Sequence, residues 1–469
     1  MTQGRGELAL VYDRAPIGAR YWRMFSVLAA NQALDFFDFF IVIYLVVVIT
    51  PQWHLTYGQT AAILLSAGAG AMAGALVWGL IADRRGRRPL IVTGTFICAA
   101  ASAAVALVPD GDWVLMAVLR FGVGFGLAAS ATPTGALIVE HTPTRLRTFA
   151  GSFIVVANSL GILLAGVTAA ALLEALGWRG VAVLGVLPFA VGVMVWLWVP
   201  ESYLWLIAAG RPEEARASVA ATLNVAPETL PMPAVPAGKA PEPGLLELFA
   251  DPRRVVLVAL VWLCASIAFY GVYQWGPTIF AQLLAVTPPQ AARLFLLVGI
   301  AGVAGKVLFS VLPQRIGRRR SGELMGYAAA LGLLLTGVFH GAAVAGLPAF
   351  VVLVMASALF FEGGLANIAP YSVEVYGVRL GARAVGLQQA ANAIGKIVGP
   401  IVLAVIAGTG DLVTPKATAD AVLPAFVFFA ACSLAVGVIF TLAGIETHGK
   451  RLAVPGADTA AVDAASPAE

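Results

Sequence analysis

Charge is scarce in this chain. Asp, Glu, Lys and Arg together make up 12% of its 469 residues, about half the ~25% of an ordinary soluble domain. A soluble fold of this size needs far more polar surface, so that class is set aside. Histidine is limited to four residues. His54, His141, His340 and His448 fall near the ends of apolar runs or in loops, and none forms a catalytic pair with a neighbour. Cysteine is limited to three, and Cys98, Cys264 and Cys432 each sit inside a separate apolar run. They read as small packing residues, which excludes a disulfide framework and a cysteine metal site. A Walker-type phosphate loop, a metal-ligand cluster and an acyl-transfer constellation are all missing. The chain is therefore expected not to be an enzyme and to use no cofactor and no metal.

Apolar length is what the chain has in abundance. Hydrophobic residues make up 60% of it and glycine adds 50 residues. Runs long enough to cross a bilayer recur at about 24–49, 58–82, 90–108, 112–139, 147–173, 178–199, 255–281, 291–313, 322–342, 346–369, 384–406 and 422–443. The expected fold is an all-α integral membrane protein of twelve transmembrane helices. The split within 147–199 rests on the polar turn from Glu174 to Arg179. Residues 1–23 are polar and basic and carry no short apolar core with a small-residue cleavage site, so the first apolar run is expected to stay as a membrane helix.

Arginine and lysine fall in alternate loops. Arg5, Arg14, Arg20 and Arg23 precede the first run, and Arg84-Arg85-Gly86-Arg87-Arg88, Arg145 and Arg147, Arg315 with Arg318-Arg319-Arg320, Arg379 and Arg383, and Lys450-Arg451 follow on the same side. This asymmetry predicts cytoplasmic N and C termini. The net charge of +4 is thus a topology signal and says nothing about nucleic acid, so no nucleic-acid partner is expected, while the basic loops suit contact with membrane lipids.

The chain divides at a linker. Residues 1–199 are read as an N-terminal six-helix bundle, 200–254 as a cytoplasmic linker, 255–443 as a C-terminal six-helix bundle and 444–469 as a cytoplasmic tail. The linker's proline-rich part, VAPETLPMPAVPAGKAPEPG, forbids one continuous helix, with short helices allowed at 211–223 and 244–250. GLIADRRGRR at 79–88 and SVLPQRIGRR at 310–319 match at an offset of 231. Parallel halves suit alternating access around a central site.

GLIADRRGRR resembles the signature loop of the major facilitator superfamily, and the resemblance covers essentially the whole chain. It implies a twelve-helix secondary transporter in which Gly79, Asp83, Arg84, Gly86, Arg87 and Arg88 form a gate latch. Gln314 stands in the second copy where Asp83 stands in the first. Pro200-Glu201-Ser202 is similar to the motif after the sixth helix of sugar and metabolite porters, with Tyr203 and Leu204 replacing its usual proline and arginine. Asp35-Phe36-Phe37-Asp38 resembles the aspartate-glycine-aromatic-aspartate pattern of aromatic-acid and metabolite:proton symporters, with Phe36 replacing the glycine.

The residues themselves point the same way. A carboxylate at the centre of a membrane helix costs about 2.5–3.5 kcal/mol, so Asp35 and Asp38, on nearly the same side of the first helix, need a partner, a proton or a wet cavity. They are the expected proton-coupling pair, Asp38 the transport carboxylate because it lies deeper. The competing reading is a structural network through Asn31, Gln32 and Arg120. Arg120, in the glycine-rich fourth run, is either a substrate or carboxylate partner or an arginine reaching for the interface. Tyr270, Tyr273 and Gln274 of the seventh run suit a planar acid, and Trp275 beside them suits either ring stacking or an interfacial anchor. Glu362 and Asn367 of the tenth run and the stripe Gln388, Asn392 and Lys396 of the eleventh are the remaining substrate-binding candidates. Lys396 serves either as an anion anchor or as the partner of Glu362. Lys306 ranks below it, close enough to the cytoplasmic end to reach the interface.

Taken together, the sequence predicts proton-coupled uptake of a small organic anion, aromatic or carboxylic, by a monomer in a bacterial inner membrane. A sugar or polyol proton symporter and a proton-coupled exporter of hydrophobic compounds are the alternatives.

Overall fold

The computed structural model describes residues 8–448 apart from 9, 14, 16, 234–244 and 345. The latter part of the tail, the proline-rich stretch of the linker at 234–244 and the side chain of Asp83, expected in the latch, lie outside the described residues. Among the described residues, eleven helical stretches are long and apolar enough to cross a membrane. The longest, Phe153–Trp198, has 46 residues, about 69 Å of helix against a hydrocarbon core of ~30 Å. It breaks at Gly177, whose φ of 64° and ψ of 178° leave the helical region, inside the polar turn from Glu174 to Arg179. Counted as two, it brings the spans to twelve, and the fold is all-α, two six-helix bundles. In order the spans are Ala19–Gln52, Tyr57–Ala82, Arg88–Leu107, Trp113–Glu140, the two parts of Phe153–Trp198, Pro252–Leu284, Pro288–Ile316, Arg318–Val338, Ala349–Gly377, Arg383–Ala407 and Pro415–Ala443.

Large apolar side chains face outward. Leu76, Leu80, Leu107 and Leu442 are each more than 70% exposed, a surface that water would penalise and that lipid tails cover. Between the bundles, the second span packs on the eleventh, the fifth on the eighth and the first on the seventh.

The internal duplication runs deeper than the basic loop. Thr56 and Gln59 form a capping box at the start of the second span, and Thr287 and Gln290 form the same box at the start of the eighth, again offset by 231. The loops after those spans share a backbone shape. Gly86 has φ 89° and ψ 179°, and Gly317 has φ 87° and ψ 162°, a region that only glycine enters without strain. In the first half, Glu201 accepts from the N–H groups of Arg87 at 3.0 Å and Arg88 at 3.2 Å, Arg87 pairs with Glu140, and Ser202 Oγ donates to Glu140 at 2.5 Å. In the second, Glu446 accepts from the N–H groups of Arg318 at 2.9 Å and Arg319 at 3.3 Å, Arg318 pairs with Glu374 at 2.7 Å, and Thr447 donates to Glu374 at 2.5 Å. Successive N–H groups turned to one side make an anion nest, and each half fills its nest with its own glutamate.

We call the side bearing these loops the basic face. On the opposite face the bundles close on each other. Tyr57 N–H donates to the Asp411 carbonyl at 2.9 Å and Gly58 N–H to that of Thr409 at 3.0 Å, while the Tyr57 hydroxyl lies 2.7 Å from Thr418 Oγ1.

Two linker elements sit under the first bundle, the helices Tyr203–Ala208 and Pro212–Leu223. They enclose His141, fully buried, whose Nδ1 lies 2.8 Å from the Tyr12 hydroxyl and 3.3 Å from Thr222 Oγ1. Burial lowers the His141 pKa to about 4. The folded state therefore binds fewer protons there than the unfolded chain (pKa about 6.5), so this contribution is complete above pH 6.5 and lost as pH falls toward 4. Between pH 7.5 and pH 5, thermal unfolding of the purified protein should register a loss of about 2 kcal/mol that His141→Gln does not share. Equal acid sensitivity in the two proteins would rule this source out.

Candidate functional site

The first span carries its polar groups in one stretch. Its neighbours, the third and fourth spans, present small hydroxyls and glycines there, so backbones come close and short side chains can reach the carboxylates. Asp35 Oδ2 accepts from Ser130 Oγ at 2.9 Å and from Asn31 Nδ2 at 3.4 Å. Asn31 in turn donates to Ser130 at 2.7 Å and accepts from Thr95 at 2.9 Å. Asp35 Oδ1 is buried without a hydrogen-bond partner. Asp38 is held differently, with Ser102 Oγ donating to Oδ1 at 3.1 Å and the Cys98 thiol to Oδ2 at 3.4 Å. Cys98 thus does more than fill space.

Arg120 is buried, 1% exposed, and so does not reach the interface. Its Nη1 and Nη2 donate to the main-chain carbonyls of Asp38 at 2.8 Å and Phe39 at 2.9 Å. The guanidinium ties the fourth span to the backbone of the first, with no carboxylate within 4 Å among the described residues.

A cavity of about 220 Å³ lies between the bundles. Asp35, Phe36 and Phe39 of the first span, Trp78 of the second, Tyr270 of the seventh, and Gln389, Asn392 and Lys396 of the eleventh line it. Its wall runs on to Gly79 and Ala82, near the end of the second span at the basic face. Lys396 enters this space because Gly68 lets the eleventh span approach. A Cβ on Gly68 would sit 2.8 Å from the Cβ of Lys396. The Lys396 amine lies 5.2 Å from the centre of the Phe39 ring and 5.6 Å from that of Tyr270, a cation held over two π faces. No carboxylate lies within 4 Å of it among the described residues.

The candidates read from the sequence therefore separate into groups. Asp35, Tyr270, Asn392 and Lys396 meet at the cavity. Asp38 and Arg120 stand behind it. Asn367 joins the basic loop of the second half instead, accepting from Arg318 Nη1 at 3.4 Å and donating to the Arg318 carbonyl at 3.2 Å. Gln388 is buried, and its neighbour Gln389 lines the cavity instead. Gln274 is buried with neither amide atom hydrogen-bonded. Trp275 is fully buried and donates to the Pro400 carbonyl at 2.9 Å, so it is no interfacial anchor. Phe39 and Trp78 escaped the sequence reading, and Phe36 entered it only as the residue replacing a motif glycine, since aromatics in apolar runs carry no signal of which way they point.

Glu362 takes a partner other than Lys396. Lys306 Nζ lies 2.7 Å from Glu362 Oε1 and donates to Ser159 Oγ at 2.7 Å, while the Tyr273 hydroxyl donates to Glu362 Oε2. Lys306 therefore points inward, and its bond to Ser159 crosses from the eighth span to the fifth. Removing one member of a buried pair strands the other at about 3–5 kcal/mol. Lys306→Ala should lose that much stability in thermal unfolding of purified protein, and Lys306→Met combined with Glu362→Leu should recover most of it. A double variant no more stable than the single one would refute the pairing account.

A family model described as Major Facilitator Superfamily matches residues 28–334. Niacin transporter NiaP of Acinetobacter baylyi is 27% identical over 449 residues, which cover 94% of this chain and 97% of that protein. The 4-hydroxybenzoate transporter PcaK of Pseudomonas putida is 28% identical over 200 residues, 42% of this chain and 44% of its own. Among solved structures, a bacterial homolog to the human lysosomal transporter Spinster, inward-facing and occupied, superposes with a TM-score of 0.71 at 15% identity, covering 91% of this chain and 97% of that one.

Proposed function

The chain belongs to the Major Facilitator Superfamily, and from that premise we propose that it imports a small organic anion, an aromatic carboxylate foremost, together with a proton. The observation that carries this reading is Lys396, a cavity-lining amine with no carboxylate within 4 Å among the described residues and two aromatic rings around it. A substrate carboxylate supplies the missing counter-charge, and its ring lies among Phe36, Phe39, Trp78 and Tyr270. Niacin and 4-hydroxybenzoate, named for two of the relatives, are both rings bearing a carboxylate.

Asp35 is the proton carrier in this scheme. Its Oδ1 is unpartnered and its side chain lines the same cavity as Lys396, so a proton there and an anion at Lys396 load one compartment with no net charge. Asp38, held by Ser102 and Cys98 behind the cavity, positions the span. This reverses the order expected from depth in the helix, because access outranks depth for a group that must exchange a proton. The bundles 1–199 and 255–443 then rock about the site, with the linker and tail on the basic face. That face is assigned to the cytoplasm of a bacterial inner membrane from its arginines, and the closed contacts at Tyr57 and Thr418 form the outer gate. Protonation from outside, closure, and release through the cavity's wall at Gly79 and Ala82 complete the cycle.

Gln389 and Asn392 in the cavity would also suit a polyol, but a sugar gives the Lys396 amine nothing to neutralise it. Purified protein in proteoliposomes, offered nicotinate, 4-hydroxybenzoate, nicotinamide and xylose with and without an imposed pH gradient, tests the reading. Acids should accumulate only with the inside alkaline. Transport of xylose alone would replace the organic-anion assignment with the sugar one.

A further inference from the structure

A second cleft opens on the basic face, well away from the transport cavity. It has a volume of about 410 Å³ and lies between the start of the first span, the end of the sixth and the linker helix Pro212–Leu223. Arg20, Arg23 and Arg88 line it together with Trp198. Arg20 and Arg23, three residues apart on one helix, project from neighbouring positions. The Arg23 guanidinium stacks 5.3 Å from the Trp198 ring centre. Neither Arg20 nor Arg23 has a carboxylate within 4 Å among the described residues, and the Arg88 Nε is buried without a hydrogen-bond partner.

Two acids share the cleft, and both are already engaged. Glu201 accepts the N–H groups of Arg87 and Arg88, and Glu214 is held by Arg211 through two bonds of 2.6 Å. Three arginines thus border one space, Arg88 with its Nη2 already donated to the Trp196 carbonyl, and the carboxylates there are already hydrogen-bonded. Trp22, Trp196 and Trp198, 42%, 59% and 40% exposed, mark the level at which this cleft sits, because tryptophan collects where hydrocarbon gives way to headgroups. A small carboxylate would use one guanidinium. A phosphate, with more acceptor oxygens, matches several forks at once.

We infer that this cleft binds the phosphate of an anionic ligand through Arg20, Arg23 and Arg88. The same chemistry is offered by the headgroup of an acidic phospholipid and by a soluble phosphate ester. The position at the membrane surface favours the lipid, whose acyl chains would lie along the apolar outer faces of the first and sixth spans. Arg88 also carries an N–H that holds Glu201, so a bound phosphate would brace the latch loop and the first span together.

Native mass spectrometry of the full-length protein, released from micelles containing equal phosphatidylglycerol and phosphatidylcholine, reads the site directly. Phosphatidylglycerol should be retained at least threefold over phosphatidylcholine, and Arg20→Gln with Arg23→Gln should abolish that preference. Lys416→Gln, one charge removed on the opposite face, should leave it unchanged, and Arg20→Lys with Arg23→Lys should keep part of it while the protein retains its unfolding profile. Glycerol 1-phosphate, added as a soluble competitor at millimolar concentration, separates the two sources. Displacement of the lipid by it would assign the site to a soluble phosphate ester, and no displacement assigns it to the phospholipid. Equal retention of the two lipids by the wild type, with no binding of glycerol 1-phosphate, would overturn the inference, as would an unchanged preference in the double glutamine variant.

Discussion

Lys396→Gln is expected to raise the KM for a ring carboxylate by about 10- to 150-fold. A hydrogen bond to a charged group is worth about 1.5–3 kcal/mol, and each 1.4 kcal/mol is a factor of ten. Glutamine keeps the Cβ that packs against Gly68 and retains an N–H donor, so the eleventh span stays in place and only the charge is lost. The corresponding amide, which never called on that charge, should be handled alike by wild type and variant. Uptake of nicotinate and nicotinamide over a concentration series distinguishes the outcomes. An unchanged KM for the acid would remove Lys396 from the binding site and with it the main support for an anionic substrate. Arg120→Gln, by contrast, should act through the fold, because its donors hold the main chain at Asp38 and Phe39. Its effect should be the same for acid and amide.

Asp35→Asn should collapse the accumulation ratio to about one. A gradient of one pH unit stores about 1.4 kcal/mol per proton, which at one proton per substrate sustains a tenfold accumulation. An asparagine preserves the hydrogen bonds from Ser130 and Asn31 through its carbonyl but cannot carry the proton. Exchange of labelled for unlabelled substrate needs no net proton movement and should persist. Asp38→Asn should keep a measurable part of the accumulation, since that side chain sits behind the cavity between Ser102 and Cys98. The opposite ranking, with Asp38→Asn uncoupled and Asp35→Asn still accumulating, would return the proton to Asp38.

Much of the architecture was legible before any coordinates. Span lengths, the break near Gly177 and the repeat at an offset of 231 are local properties: apolar length, a polar turn and a glycine that accepts a positive φ. The capping boxes at Thr56 and Thr287 are local patterns too, but only the structure drew them out. Glu374 was legible as an arginine partner near the basic loops, but which arginine it meets was not, nor was the place of Glu446, because both are far from Arg318 in the chain and share no motif with it.

The sequence by itself determined that the chain is helical, that it crosses a membrane twelve times and that its buried charges are few enough to name. Bilayer thickness and the cost of unsatisfied polar groups in hydrocarbon impose those answers on any chain of this composition. Which buried charges meet was decided only by tertiary structure. Asp35 and Asp38 sit on nearly the same side of one helix, yet one lines the cavity and the other does not. Lys306 and Lys396 were both available to Glu362, and the packing of the eighth span against the tenth gave it Lys306 and left Lys396 to the cavity. The physical reason is that a helix fixes the direction of a side chain about its own axis, while the neighbour it meets depends on how twelve such axes pack.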